Sequence, residues 1–148
     1  MRKWKIKKFK DLSLDKLYEI LKLRNKIFIV DQKSIYQDCD DKDKKSYHLF
    51  CEEDGKIICY LRILEKGISY EEISIGRVLV NENFRGQKLA RQSMVKAIEF
   101  IENVLLEKVI IISAQSYLVK FYESLAFRVN SEIYKLDGIQ HIEMIYKK

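Results

Sequence analysis

The sequence predicts an α+β (α/β) fold: a mixed, mostly antiparallel sheet with a hairpin-rich first half, a central parallel βαβ crossover and a terminal hairpin. Three observations predict it. Two Asp-Gly steps, at Asp54-Gly55 and Asp137-Gly138, each join two strand-like runs and mark tight hairpins. Between them, a strand at 73–80, a long amphipathic helix and the continuous apolar run Val109-Ile110-Ile111-Ile112 follow in the order of a βαβ unit, whose strands run parallel. The length, 148 residues, is that of a single domain (1–148) with a core of its own.

Each element has a local reason. Residues Trp4 to Phe9 alternate apolar and basic and read as an edge strand. Ser13 is placed to cap a helix carrying Leu14, Leu17, Tyr18, Leu21, Ile27 and Phe28 at helical spacing. The run Asp38-Cys39-Asp40-Asp41-Lys42-Asp43-Lys44-Lys45 reads as a solvated, charged loop. Residues 47–53 and 56–64 form the first hairpin. The central helix puts Ala90, Met94, Ala97, Ile98, Ile101 and Leu105 on one face. A shorter helix is predicted over 117–125, and strands over 128–136 and 139–146 close the chain.

Composition narrows the function. With 28 Lys+Arg against 22 Asp+Glu the net charge is +6, and 47% of residues are hydrophobic, the balance of a soluble globular protein. No apolar run is long enough to span a membrane, and the basic N-terminus lacks the apolar stretch of a secretory signal. The odd cysteine count (Cys39, Cys51, Cys59) without Cys-x-x-Cys spacing suits reduced thiols in a cytoplasm better than disulfides or zinc. His48 and Cys51 do not make a metal pair, because i and i+3 on a strand point to opposite faces. There is no proline, and each of the five glycines marks a place where the backbone needs one.

The stretch Val78-Leu79-Val80-Asn81-Glu82-Asn83-Phe84-Arg85-Gly86-Gln87-Lys88-Leu89-Ala90-Arg91 is the most informative. A strand enters a short turn and a helix begins at once, presenting unpaired N–H groups and a positive dipole end to phosphate oxygens. Arg85, Lys88 and Arg91 add cationic charge. An ordinary solvated helix start is the alternative. Neither G-x-x-x-x-G-K-[ST] nor G-x-G-x-x-G is present, which argues against a nucleotide hydrolase or a dinucleotide oxidoreductase.

This stretch resembles motif A of the GNAT N-acetyltransferases, [QR]-x-x-G-x-[GA], with Arg85 at the first position, Ala90 at the last, and Lys88 where a glycine is usual. Phe121-Tyr122-Glu123-Ser124-Leu125-Ala126-Phe127 resembles motif B of the same family, with Ala126 replacing a glycine. The order of Val30-Asp31-Gln32, Tyr36-Gln37-Asp38-x-Asp40, Ile75-Gly76-Arg77-Val78, Arg85–Lys88, Ala114-Gln115 and Gly138-Ile139-x-His141-Ile142 is similar to the narrower ElaA-like branch, which also carries Lys at position 88.

The resemblance implies a GNAT-like sheet with helices on both faces and an acetyl-CoA co-substrate without a metal. It implies pyrophosphate on the backbone N–H groups from Gly86 through Gln87, Lys88, Leu89 and Ala90 to Arg91. The pantetheine arm would run along Val78, Leu79 and Val80, with Gln115 reaching its amides and a backbone N–H at Leu79 or Val80 polarising the acetyl carbonyl. Tyr122 is the implied general acid for the leaving thiolate; the alternative is a tyrosine that packs its ring on the core. Asp38, Asp40, Glu143, His48 and His141 are candidates for the general base, each also readable as structural or solvated. The acceptor is an amine on a small molecule or a protein, and the protein a monomer or homodimer. A basic nucleic-acid-binding module, motivated by Arg2, Lys3, Lys5, Lys7, Lys8 and Lys10, and a domain that binds coenzyme A without catalysis are the competing readings. No aromatic stacking platforms interleave the basic residues, which argues against nucleic acid.

Overall fold

The structure is a computed structural model describing residues 1–148. Strands β1 (Arg2–Lys8), β2 (Ser46–Glu53), β3 (Lys56–Leu64), β4 (Ile73–Val80), β5 (Val109–Gln115), β6 (Arg128–Val129), β7 (Tyr134–Leu136) and β8 (Ile139–Lys147) form one sheet. Its helices are α1 (Leu14–Arg24), α2 (Leu89–Asn103) and α3 (Val119–Glu123). The sheet order is β1-β2-β3-β4-β5-β8-β6, with β7 also paired to β8, and only the β4–β5 pair is parallel. No helix is long and apolar enough to cross a membrane.

Strand alternation builds a core on each side of the sheet. Leu49, Leu61, Ile63 and Ile110 face α2 and meet Met94, Ala97 and Ile101. Phe50, Ile57, Tyr60 and Leu79 face the other way and meet Ile20 and Ile27. Being covered on both faces explains why β3 is buried at every position after Lys56.

Both Asp-Gly turns form as expected, with Asp54 and Gly55, and Asp137 and Gly138, in the left-handed region that two-residue hairpins require. The Ser13 hydroxyl caps α1 by accepting from the Lys16 N–H at 3.1 Å. Edge strand β1 is blunted by charge: Lys5 pairs with Glu52 at 2.7 Å and Arg2 with Glu53 at 3.1 Å.

Four details differ from the sequence reading. Helix α1 gives way to a π-helical turn at Asn25–Asp31, and its buried face is Ile20, Arg24 and Ile27, leaving Leu14 and Tyr18 exposed. The last helix is only Val119–Glu123, after a 3₁₀ turn at Ser116–Leu118. The strand expected over 128–136 is broken at 130–133, so β6 and β7 pair with β8 separately. The charged loop is only partly solvated: Asp38 and Asp43 are buried, while Cys39, Asp41, Lys44 and Lys45 are exposed.

Candidate active site

The parallel ladder between β4 and β5 holds only at Ile73–Ile110 and Ser74–Ile111. Beyond it the strands part. The register of β3 against β4 also shifts, because two steps from Tyr60 to Arg62 face three from Leu79 to Gly76. The extra residue makes a bulge, and Arg77 within it takes a left-handed φ of 54°. The separation opens a cleft of about 1280 Å³, with Val78, Leu79 and Val80 on one wall and Gln115 and Tyr122 on the other. The Leu79 side chain is buried in the core facing α1, so its contribution to the cleft is backbone. The Asn81 N–H donates to the Ile58 carbonyl of β3 at 2.8 Å. Successive N–H groups of a strand alternate edges, so that of Val80 points away from β3, into the cleft.

At its far end the cleft meets a second cavity of about 520 Å³, and Val80 and Arg85 line both. This cavity is walled by Gly86, Lys88, Ala90 and Arg91 at the start of α2. The first bond into the helix runs from the Gln92 N–H to the Lys88 carbonyl at 3.0 Å, so Leu89, Ala90 and Arg91 have no intrahelical acceptor for their N–H groups. Gly86 has φ of 81° and nothing within 4 Å of where a Cβ would stand. Its requirement is conformational, and the space beside it is open. Lys88 takes φ of 61° at the N-cap of α2, which accounts physically for the glycine usual at this position.

Several side chains here are already engaged. Gln87 accepts from Arg2, and Leu89 packs with Cys51, Ile58 and Cys59. Arg91 donates to the Ser124 hydroxyl at 2.8 Å, tying α2 to the end of α3. Arg85 and Lys88 are exposed and have no side-chain partner.

The opposite end of the cleft rests on an ion-pair network absent from the sequence reading. Arg24 reaches Asp38 at 2.9 Å and Asp43 at 2.6 Å; Arg62 reaches Asp40 at 2.7 Å and Asp43 at 2.9 Å; Arg77 reaches Asp38 at 2.7 Å. Burial alone would raise the Asp40 and Asp43 carboxyls, but Arg62 and Arg24 outweigh it and hold both below the usual carboxylate range. Asp38 and Asp40 are therefore locked counterions and not free acids, which removes them as candidate bases. His48 is fully buried. Its Nε2–H donates to the Asp43 carbonyl at 2.9 Å, so Nδ1 accepts from the Tyr60 hydroxyl at 2.7 Å. Burial lowers its pKa, and with both nitrogens occupied it supports the network and does not reach the cleft.

Tyr122 is 7% exposed, its ring edge-on to Phe121 and Phe127. Burial pushes its phenol up to about 12. Its hydroxyl has no protein partner yet is not enclosed, and it belongs to the cleft wall. Gln115 donates from Nε2 to Gln32 across the cleft at 3.4 Å. On β8, His141 and Glu143 line the cleft, while β7 contributes Tyr134, whose hydroxyl bonds Ser113. Glu143 accepts from Asn130 at 2.7 Å. No group of three or more His, Cys, Asp or Glu side chains is placed to hold a metal.

Arg24 and Arg62 left a signal in the sequence. Arg62 is the charge interrupting the apolar run 57–64, and Arg24 falls between Ile20 and Ile27 on the buried helix face. Charge at a core position calls for a buried counterion. No comparable signal marks Tyr134 or Ser113, which meet only because β5 and β7 both flank β8.

Comparison with known proteins gives a consistent result. The acetyltransferase (GNAT) domain profile matches residues 16–148. Protein ElaA of Escherichia coli strain K12 is 36% identical over 146 residues, covering 97% of this chain and 95% of that protein. Among solved structures, an acyl-CoA N-acyltransferase from Pseudomonas aeruginosa superposes with a TM-score of 0.93 at 35% identity, covering 99% of both chains. The crystal structure of Escherichia coli ElaA superposes with a TM-score of 0.92 at 34% identity, covering 99% of this chain and 100% of that one.

Proposed function

The chain belongs to the GNAT acetyltransferase family, in its ElaA-like branch, and from that premise we propose that it moves an acetyl group from acetyl-CoA to a primary amine by direct attack on the thioester. The observation that carries this reading is the adjacency of two spaces that share Val80 and Arg85: the cleft where β4 leaves β5, and the cavity at the start of α2. One suits an extended pantetheine arm beside an unpaired strand edge, the other a pyrophosphate on free N–H groups.

In this reading Arg85, Gly86 and the N–H groups from Gln87 to Arg91 hold the phosphates, with Lys88 supplying charge. Val78, Leu79 and Val80 pair with the arm, and Gln115 exchanges Gln32 for a pantetheine amide. The Val80 N–H, aimed into the cleft, stabilises the oxyanion as the amine attacks. Tyr122 then protonates the departing thiolate; its phenol, which burial pushes further up, is protonated at neutral pH like any tyrosine, the state a general acid needs. The three cysteines are all free, which supports a cytoplasmic site of action for the single catalytic domain.

The test is release of free coenzyme A from acetyl-CoA across a panel of alkylamines, polyamines, amino sugars and lysine peptides. Turnover with at least one amine is expected. Saturable binding of acetyl-CoA with no turnover on any amine would instead establish a coenzyme A-binding domain without catalysis.

A further inference from the structure

The amine must shed a proton, and the locked state of Asp38, Asp40 and His48 leaves the base unassigned. We propose that Nε2 of His141 takes that proton, an inference resting on the acetyltransferase reading. The backbone fixes the tautomer. His141 Nδ1 lies 2.8 Å from the Ile139 carbonyl, which can only accept, so Nδ1 carries the hydrogen and Nε2 the lone pair. The ring is held flat against Tyr134, at 6.2 Å between centroids and 23° between planes. Nε2 has no protein partner and is not enclosed, and His141 lines the same cleft as Tyr122. A buried ring with one nitrogen anchored on the main chain and the other open to the cleft is preorganised to accept a proton there.

Tyr134 from β7 stacks on it and Glu143 lies on the same face of β8. Tyr117 after β5, Tyr70 before β4 and Asp137 in the β7–β8 turn line the same cleft, as do the charged Asp31, Asp40, Lys42, Arg62, Arg77 and Arg85. Glu143 is the competitor, and its carboxylate is partly committed to Asn130. The step balances for a neutral amine. Its nitrogen bonds the acetyl carbon, one of its protons passes to Nε2, the carbon–sulfur bond breaks, and the thiolate takes the Tyr122 proton. Proton return through solvent from the imidazolium to the phenolate restores both groups.

Two measurements test this. Only two histidines exist, and His48 has both nitrogens bonded. Diethyl pyrocarbonate should therefore modify one histidine, none in His141→Asn, and acetyl-CoA should slow the reaction. Asn keeps a donor for the Ile139 carbonyl and removes Nε2, so folding is checked by melting and by coenzyme affinity, both expected to match wild type. Coenzyme A release is then followed against pH with propylamine and with hydroxylamine, which is already deprotonated at neutral pH. In His141→Asn the rate at neutral pH should fall by about 10²-fold on both amines, since either one gives up a proton as its nitrogen bonds the acetyl carbon. The rise of the propylamine rate with pH persists, because that amine's own deprotonation remains. Glu143→Gln should not reproduce this loss.

Equal rates for His141→Asn and wild type, or the same loss seen only in Glu143→Gln, overturns the assignment and leaves the acetyltransferase reading standing. Failure of acetyl-CoA to protect His141 overturns the assignment alone, whereas failure to bind at all overturns both.

Discussion

Tyr122 sits in an apolar wall, and its hydroxyl bonds nothing in the protein. Tyr122→Phe therefore removes one oxygen without stranding a partner. Melting temperature and coenzyme affinity should stay at wild-type values while kcat falls by about 10²–10⁴-fold, with KM little changed. Steady-state kinetics on any amine from the panel check this; an unchanged kcat where chemistry is limiting returns Tyr122 to a packing role. Lys88 poses the opposite case, a side chain in a conformation that costs about 1–2 kcal/mol outside glycine. Lys88→Gly should raise the melting temperature yet weaken coenzyme binding at low salt, since the charge is lost along with the strain. Calorimetry at two ionic strengths separates the two effects.

At the scale of elements, the π-helical turn after α1 and the segment beneath it matter most, because Arg24 clamps that segment through Asp38 and Asp43. Arg24→Met leaves two buried carboxylates short of a partner and should cost about 3–5 kcal/mol, read from the denaturant midpoint. The same cluster sets acid stability. Folding lowers the pKa of His48, Asp40 and Asp43, so the unfolded chain binds protons more readily than the folded one as pH falls. Their stabilisation is present above the unfolded values, about 6.5 for histidine and about 4 for aspartate. It is lost progressively as pH drops below them toward the folded values. Chemical denaturation from pH 7 downward should show the wild type losing stability in those two windows. In Arg24→Met the lower window should flatten, because the guanidinium that held Asp43 low is gone.

At the scale of the whole molecule, the coenzyme is expected to bridge β4, the start of α2 and the end of β5, elements with no backbone ladder between them along the open cleft. Ligand at about 100 times its Kd contributes roughly 2.7 kcal/mol. For a chain of this length that is a rise of several degrees in Tm, since each kcal/mol is worth about 2–4 °C. Millimolar acetyl-CoA producing no shift would count against the proposed site as a whole.

Local patterns carried most strands, both hairpin turns, the crossover and the turn before α2, because each depends on neighbours within a few residues. Asp54-Gly55 selects its turn by backbone preference alone, and the run 109–112 announces a strand covered on both faces. The motif from Val78 to Arg91 was legible for the same reason. The charged run 38–45 was misleading, because solvated and buried acids have the same composition. What distinguishes them is Arg24, Arg62 and Arg77, which reach these acids from α1, β3 and β4 and can do so only once the sheet has formed. His48 and His141 were likewise equivalent in sequence. Tertiary contacts separated them, closing both nitrogens of one and leaving the Nε2 of the other open to the cleft. Sequence thus determined most segments and the turn before α2, whose physics is local. Which ionisable groups remain free to do chemistry was decided by desolvation and pairing between distant segments, and that exists only in the folded chain.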